Sequence, residues 1–253
     1  MKKLFKANFN ALFIGVLFSL LLLTLVALLS ENEGLLWFLK PIYVPVFFLF
    51  FYVKQRAVGL VFLFFYLFSF LGDFLSVFHI NQSVVEFSGL FYFLSYLGLI
   101  FYAFTRLKTI AFDKVIGLYL LLVLAVNSYF LYELFWMLQF SASGAFQVGL
   151  YVLKSSSLVA LLFVSFVVYL NNDSKQAITF LIMALCFVFS DVLYYIINYY
   201  IYNDVFAVIE RVLHLAGLLF LYKYVLMQTM PLRRRQQKRV QASTLSVPDN
   251  VLT

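Results

Sequence analysis

The chain alternates between long apolar runs and short polar breaks. The runs lie at roughly 9–29, 35–53, 57–78, 84–105, 111–132, 146–170, 176–200 and 204–227, and the breaks read SENEG, KQR, HINQS, TRLK, QFSASG, NNDSK and YND. A helix needs roughly 20 apolar residues to cross a hydrocarbon core about 30 Å thick, and each run is about that long. Lipid tolerates only helices or closed barrels, and runs this continuously apolar are helical. The pattern predicts an all-α polytopic membrane bundle of eight transmembrane helices. The breaks are short, so neighbours in sequence are expected to pack antiparallel. The first run, ALFIGVLFSLLLLTLVALL, is about twice the length of a signal-peptide core and no A-x-A step follows it, so it reads as a span. Residues 1–230 are expected to form one transmembrane domain. Residues 231–253, which contain RRRQQKR, are expected to form a basic, disordered cytoplasmic tail.

Composition agrees with the pattern. Of 253 residues, 65% are hydrophobic and 11% charged, and the mean hydropathy is +1.00. A soluble domain of this length has to meet water with its outside and has no use for so much apolar surface. The single cysteine, Cys186, excludes an internal disulfide and an all-cysteine metal site. No phosphate-binding glycine loop, Cys/His metal spacing or G-x-S-x-G elbow occurs, so neither metal nor cofactor is expected.

The net charge of +7 is mostly a topology signal. Lys2, Lys3 and Lys6 precede the first run. Alternate breaks then carry Lys54 and Arg56, then Arg106, Lys108 and Lys114, then Lys175, and finally Arg233, Arg234, Arg235, Lys238 and Arg239. The breaks between them carry Glu31 and Glu33, Glu86, Glu133 and Asp204. Basic residues mark the cytoplasmic side, which places both termini there and requires an even number of spans. The charge does not point to nucleic acid; the basic tail suits anionic lipid head groups. The compact loops suit a multi-pass protein of a bacterial inner membrane.

A few charges remain inside the apolar runs: Lys40, Asp73, Lys154, Asp191, Arg211 and His214, with Glu210 shallower. An ionised group near the bilayer centre costs roughly 2.5–3.5 kcal/mol on insertion scales, and such residues usually face a cavity or a partner. At about 1.5 Å per residue, Asp73 and Asp191 lie roughly 22–24 Å above the inner face. Lys40, Lys154 and His214 lie roughly 7, 12 and 15 Å below the outer face. All five share the outer half of the membrane, which predicts one polar pocket open toward the outer leaflet. Positions three, four and seven apart share a helix face. Tyr66, Ser69, Asp73 and Ser76 form one stripe, and Asp191, Tyr194, Tyr195 and Asn198 another. Lys154 is flanked by Tyr151 and Ser157, and Pro41 and Pro45 follow Lys40. The plainer account of any one pair is an ion pair that holds helices together.

The two aspartates also mark an internal repeat. Aligning FLGDFLSVF on VFSDVLYYI sets Asp73 on Asp191 at an offset of 118; Tyr96 and His214 share that offset, and Lys40 and Lys154 differ by 114. The repeat predicts two parallel four-helix halves about an axis along the membrane normal.

With Lys40-Pro41 in span two, Gly72-Asp73-Phe74-Leu75 after F-S-F in span three, and Phe189-Ser190-Asp191-Val192-Leu193 in span seven, the sequence resembles the YhhN family, which includes the lysoplasmalogenases. The resemblance covers about residues 10–228. It departs in span four, where many members carry an Ala-His step; here no His occurs between His79 and His214. The resemblance implies hydrolysis of the vinyl ether bond of a lysoplasmalogen, a lysophospholipid substrate, to a fatty aldehyde and a glycerophospho-alcohol. That reaction needs a general acid and a negative group, and Asp73 with Asp191 are the expected pair. Lys40 and Lys154 would hold phosphate or tune the acids; Tyr66, Tyr194 and His214 would orient water, with Asn198 and Arg211 in support. Two other classes also suit the sequence: a membrane transporter or flippase, and a non-catalytic lipid-binding membrane protein.

Overall fold

The computed structural model describes residues 2–30, 33–55, 59–77, 82–106, 114–141, 144–172, 174–201 and 203–245. They form eight helices: α1 (Lys2–Leu29), α2 (Glu33–Gln55), α3 (Leu60–Leu75), α4 (Gln82–Arg106), α5 (Lys114–Ser141), α6 (Ala145–Asn171), α7 (Lys175–Tyr199) and α8 (Asp204–Leu245). Six of them carry segments long and apolar enough to cross a membrane: Ala11–Leu29, Gly34–Lys54, Phe87–Thr105, Phe146–Asn171, Lys175–Ile197 and Asp204–Gln228. The apolar segments of α3 and α5, Leu60–Leu75 and Gly117–Glu133, are shorter. The chain is an all-helical, multi-pass membrane protein. Its outside keeps large apolar side chains uncovered, among them Phe18 (67% exposed), Leu118 (69%) and Phe101 (67%), as lipid-facing surface would.

Sequence and structure differ at α3 and at α8. Among the described residues of the run expected at 57–78, the helix runs from Leu60 to Leu75. Gly59 stands before it in extended backbone, and the Ser76 N–H closes its last turn on the Gly72 carbonyl at 3.1 Å. The segment from 231 on, expected to be disordered, instead continues α8 to Leu245. Arg, Gln and Lys are good helix formers, and a helix already begun at Asp204 extends through them without a new nucleus. Residues 246–253, and His79, lie outside the described residues.

The helices close into a ring. α2 packs on α3, α3 on α4, α4 on α6, α6 on α7, α7 on α8, and α8 back on α2. α1 stands outside against α2 and α8, and α5 stands outside against α6 and α7. Aromatic side chains fill the core. Tyr43, Phe47, Phe51, Phe65, Phe180 and Phe187 are almost fully buried. Phe13 of α1 seats against Tyr222 of α8 and Phe50 of α2, each with ring centroids 4.8 Å apart. Glycines let α3 and α4 come close: a Cβ on Gly72 would stand 3.1 Å from the Tyr92 ring, and one on Gly98 would stand 3.0 Å from Phe64. Small residues serve membrane helix pairs in this way, because contact between backbones replaces the missing hydrophobic drive.

Candidate functional site

Each helix of the ring sends polar side chains inward near the end that carries Ser76, Gly144 and Tyr199. Lys40 comes from α2, Ser76 from the end of α3, Tyr92 and Tyr96 from α4, Tyr151 and Lys154 from α6, Ser190, Asp191 and Tyr194 from α7, and Glu210 and His214 from α8. All of these line one cavity of about 30 Å³. α1 and α5 contribute nothing to it. A cavity of this size with several polar walls has room for about one or two water molecules.

Asp73 sits one step behind that wall. It is fully buried. The Tyr92 hydroxyl donates to its Oδ1, and Ser76 Oγ donates to its main-chain carbonyl at 2.7 Å. Its other carboxyl oxygen, Oδ2, is buried with no hydrogen-bond partner. Gly72 explains why the aspartate follows a glycine: the ring that reaches Asp73 passes over the backbone of the preceding residue, and a side chain there would meet it.

Asp191 is held differently. It forms an ion pair with Lys154, and both side chains are 9% exposed. The Lys154 ammonium also lies over three aromatic faces, with centroid distances of 4.9 Å to Tyr92, 5.3 Å to Tyr194 and 5.6 Å to Tyr195. Lys40 lies over two of the same rings, 5.1 Å from Tyr194 and 5.8 Å from Tyr92. Cations within about 6 Å of an aromatic centroid are attracted to its face. Tyr92 therefore joins the two acids: its hydroxyl holds Asp73 and its face carries the ammonium that holds Asp191. Lys40 makes no ion pair with any described residue.

The α8 residues complete the wall. Arg211 Nε pairs with Glu210 Oε2 at 3.2 Å, and Ser190 Oγ donates to Glu210 Oε1 at 3.3 Å. His214 packs edge-on against Phe187 at 5.8 Å, with its Nε2 buried and unpartnered. Among the described residues no three His, Cys, Asp or Glu side chains gather closely enough to hold a metal ion.

The structure thus brings Lys40, Lys154, Asp191, Tyr194 and His214 to one cavity, with Asp73 behind Tyr92 and Arg211 behind Glu210. Tyr66 is placed elsewhere. It lines a separate apolar groove between α2 and α3 with Pro45, Phe48 and Phe70. Seven residues separate it from Asp73, which puts it about 10 Å along the helix. The side chain of Asn198 lies outside the described residues. Sequence reasoning did not single out Tyr92. The signal was its spacing: Tyr92 and Tyr96 are four apart on one face of α4, and their rings stack at 6.3 Å.

A second hollow touches the same acid. Between α5 and the α6–α7 pair runs an apolar groove of about 410 Å³, and Asp191, Ser155 and Tyr195 are the polar side chains of α6 and α7 that reach it. None of the protein-family models, curated proteins or solved structures compared with this chain matches it.

Proposed function

We propose that this chain is an intramembrane ether hydrolase that cleaves the vinyl ether bond of a single-chain alkenyl lysophospholipid, as the YhhN-type lysoplasmalogenases it resembles do. The observation that carries the reading is the pairing of two unlike aspartates around one ring. Asp73 keeps an oxygen free of hydrogen bonds, whereas Asp191 is fixed in an ion pair, and Tyr92 and Lys154 connect them. Two carboxyl groups in different settings can divide the roles of acid and anion.

The chemistry follows from those roles. A proton from protonated Asp73, relayed by the Tyr92 hydroxyl that hydrogen-bonds it and lines the cavity, goes to the alkene carbon remote from oxygen, R–CH=CH–O–R′. The C=C electron pair takes that proton, and the carbon bonded to oxygen becomes an oxocarbenium ion. The Asp191 carboxylate offsets its positive charge. A water in the cavity adds to this carbon and returns a proton to Asp73. The hemiacetal then collapses to R–CH2–CHO and HO–R′. The sum is one water consumed and one C–O bond broken, with no redox change. Lys40, which makes no ion pair with any described residue, is the cation left to meet the lipid phosphate.

The same proposal takes all eight helices as spans arranged in two four-helix halves. The packing supports it: α2–α3, α3–α4, α4–α6 and α1–α2 correspond to α6–α7, α7–α8, α8–α2 and α5–α6. In sequence, Lys40 precedes Asp73 by 33 residues and Lys154 precedes Asp191 by 37, and Tyr92 and Glu210 differ by the same 118 residues as the two aspartates.

The test is substrate discrimination. Purified protein in phospholipid vesicles is given alkenyl and acyl lysophospholipids of equal chain length. Fatty aldehyde from the first and no fatty acid from the second is expected. Release of fatty acid, or of neither product, would overturn the reading.

A further inference from the structure

The polar cavity has room for water but none for a chain, so an alkenyl lipid has to bring its bond to Asp191 from another side. We propose that the groove between α5 and the α6–α7 pair is the binding site for a single hydrocarbon chain from the membrane, with the head end of that lipid at the Lys154–Asp191 pair.

The groove is open on one side and closed on the other. Leu122 and Phe130 of α5 and Phe189 of α7 form its rim and are 57%, 59% and 55% exposed. Its floor is Leu158 and Leu162 of α6, 2% and 4% exposed. α5 rests only on α6 and α7 among the described helices, so its flank is bare to the bilayer. A chain can therefore enter sideways without crossing the ring.

Its polar end gives it direction. Asp191 lines both the groove and the polar cavity, and among the described residues it is the only one common to the two. Beside it the Ser155 hydroxyl donates to the Tyr195 hydroxyl at 3.1 Å. The groove between α2 and α3 is the natural comparison. It encloses about 250 Å³ behind Val44, Pro45, Phe48 and Phe70, and no charged side chain lines it. A chain moving from lipid into either groove gains little hydrophobic energy, because lipid tails are as apolar as leucine. Preference therefore comes from the polar end, and one groove of the two has a charged one.

The same geometry selects one chain over two. Asp191 is only 9% exposed. A lipid with two chains would have to force the second between packed helices to bring its chain–headgroup junction that far in.

The nature of the head end rests on the proposed hydrolase, so the test reads binding without turnover. The probe is a lysophosphatidylethanolamine with a diazirine near its chain terminus, photolysed with the protein in phosphatidylcholine vesicles. Labelled peptides are then mapped by mass spectrometry. Label should concentrate on groove residues of α5, α6 and α7. Unlabelled lysophosphatidylethanolamine should compete, and the diacyl form should not. Val188→Trp from α7 and Val126→Trp from α5 each fill the groove, and each should lower this label about tenfold. Using both guards against one of them failing to fold. Label spread evenly over the lipid-facing helices, label gathered at Phe48 and Phe70, equal competition by the diacyl lipid, or unchanged label in the folded Trp variants would overturn the assignment. If groove label persists while no substrate yields aldehyde, the hydrolase fails and the chain site stands.

Discussion

Asp73 has no exposure to solvent, yet one of its oxygens has no partner. Burying a carboxyl in this way costs free energy unless something else uses the atom. Tyr92 supplies the one side-chain hydrogen bond it has, so Tyr92→Phe should lower unfolding stability by about 1–3 kcal/mol, the cost of leaving a buried acceptor unsatisfied. Urea or thermal titration in detergent checks this, and aldehyde release should fall alongside. Asp191 calls for a different experiment. Removing one member of a buried pair leaves the other charge stranded, at about 3–5 kcal/mol, whereas replacing both with apolar groups is often neutral. Asp191→Asn should therefore destabilise strongly, and Asp191→Leu with Lys154→Met should recover the fold and not the activity. Recovery of both would reduce the pair to a structural bridge. At this scale the sequence was most legible where charge was involved. A lysine or aspartate inside an apolar run has few tolerable surroundings, and Lys40, Lys154, Asp191 and His214 do meet at one cavity. Tyrosine carries no such penalty. Among 18 tyrosines, many of them suited to the interface, Tyr92 had only its register with Tyr96 to mark it. Tyr66 shows the converse: it shares the Asp73 face but stands two turns away, in another groove.

Helices set these side chains by how closely they approach. On α8, a Cβ at Gly217 would stand 2.7 Å from the Phe187 ring of α7, and that ring is almost fully buried between His214, Tyr96 and Phe65. Its remaining free side borders the polar cavity, so retreat there would fill the space held for water. Gly217→Ala should cost about 1–3 kcal/mol of overpacking, more than the roughly 1 kcal/mol that alanine gains over glycine in a helix. Gly72→Ala is the milder case, with contacts at 3.1 Å, and it should disturb Tyr92 and hence activity more than stability. A melting temperature that rises in Gly217→Ala would contradict the packing described here. Element boundaries were the least legible part of the sequence. Apolar runs mark how much chain lipid can hold, but helix ends depend on local backbone partners: Gly59 and Ser76 bound α3, and α8 carries on past Pro231 and through Arg233 to Leu245.

On the scale of the molecule, six helices enclose a polar centre and two brace it from outside. The proposed eight spans, with both termini on the basic side, predict a labelling pattern. Cysteines placed singly at Lys3 and Gln237 in a Cys186→Ser background should react with an impermeant maleimide only after the vesicles are opened, while one at Asn203 should react in sealed, outside-out vesicles. Reaction of positions 3 and 237 from opposite sides would remove the even span count. The ring itself was not legible: hydropathy orders the spans, but which helices touch depends on shape, as Gly72 and Gly98 illustrate at the α3–α4 contact. The central claim is that the two aspartates act together on one vinyl ether. Aldehyde release from an alkenyl lysophospholipid by wild type, Asp73→Asn and Asp191→Asn, each confirmed folded, tests it most directly. The account predicts release by wild type and at least about a hundredfold loss in each variant, the lower bound for a lost general acid or base. Turnover that survives in either variant would contradict it.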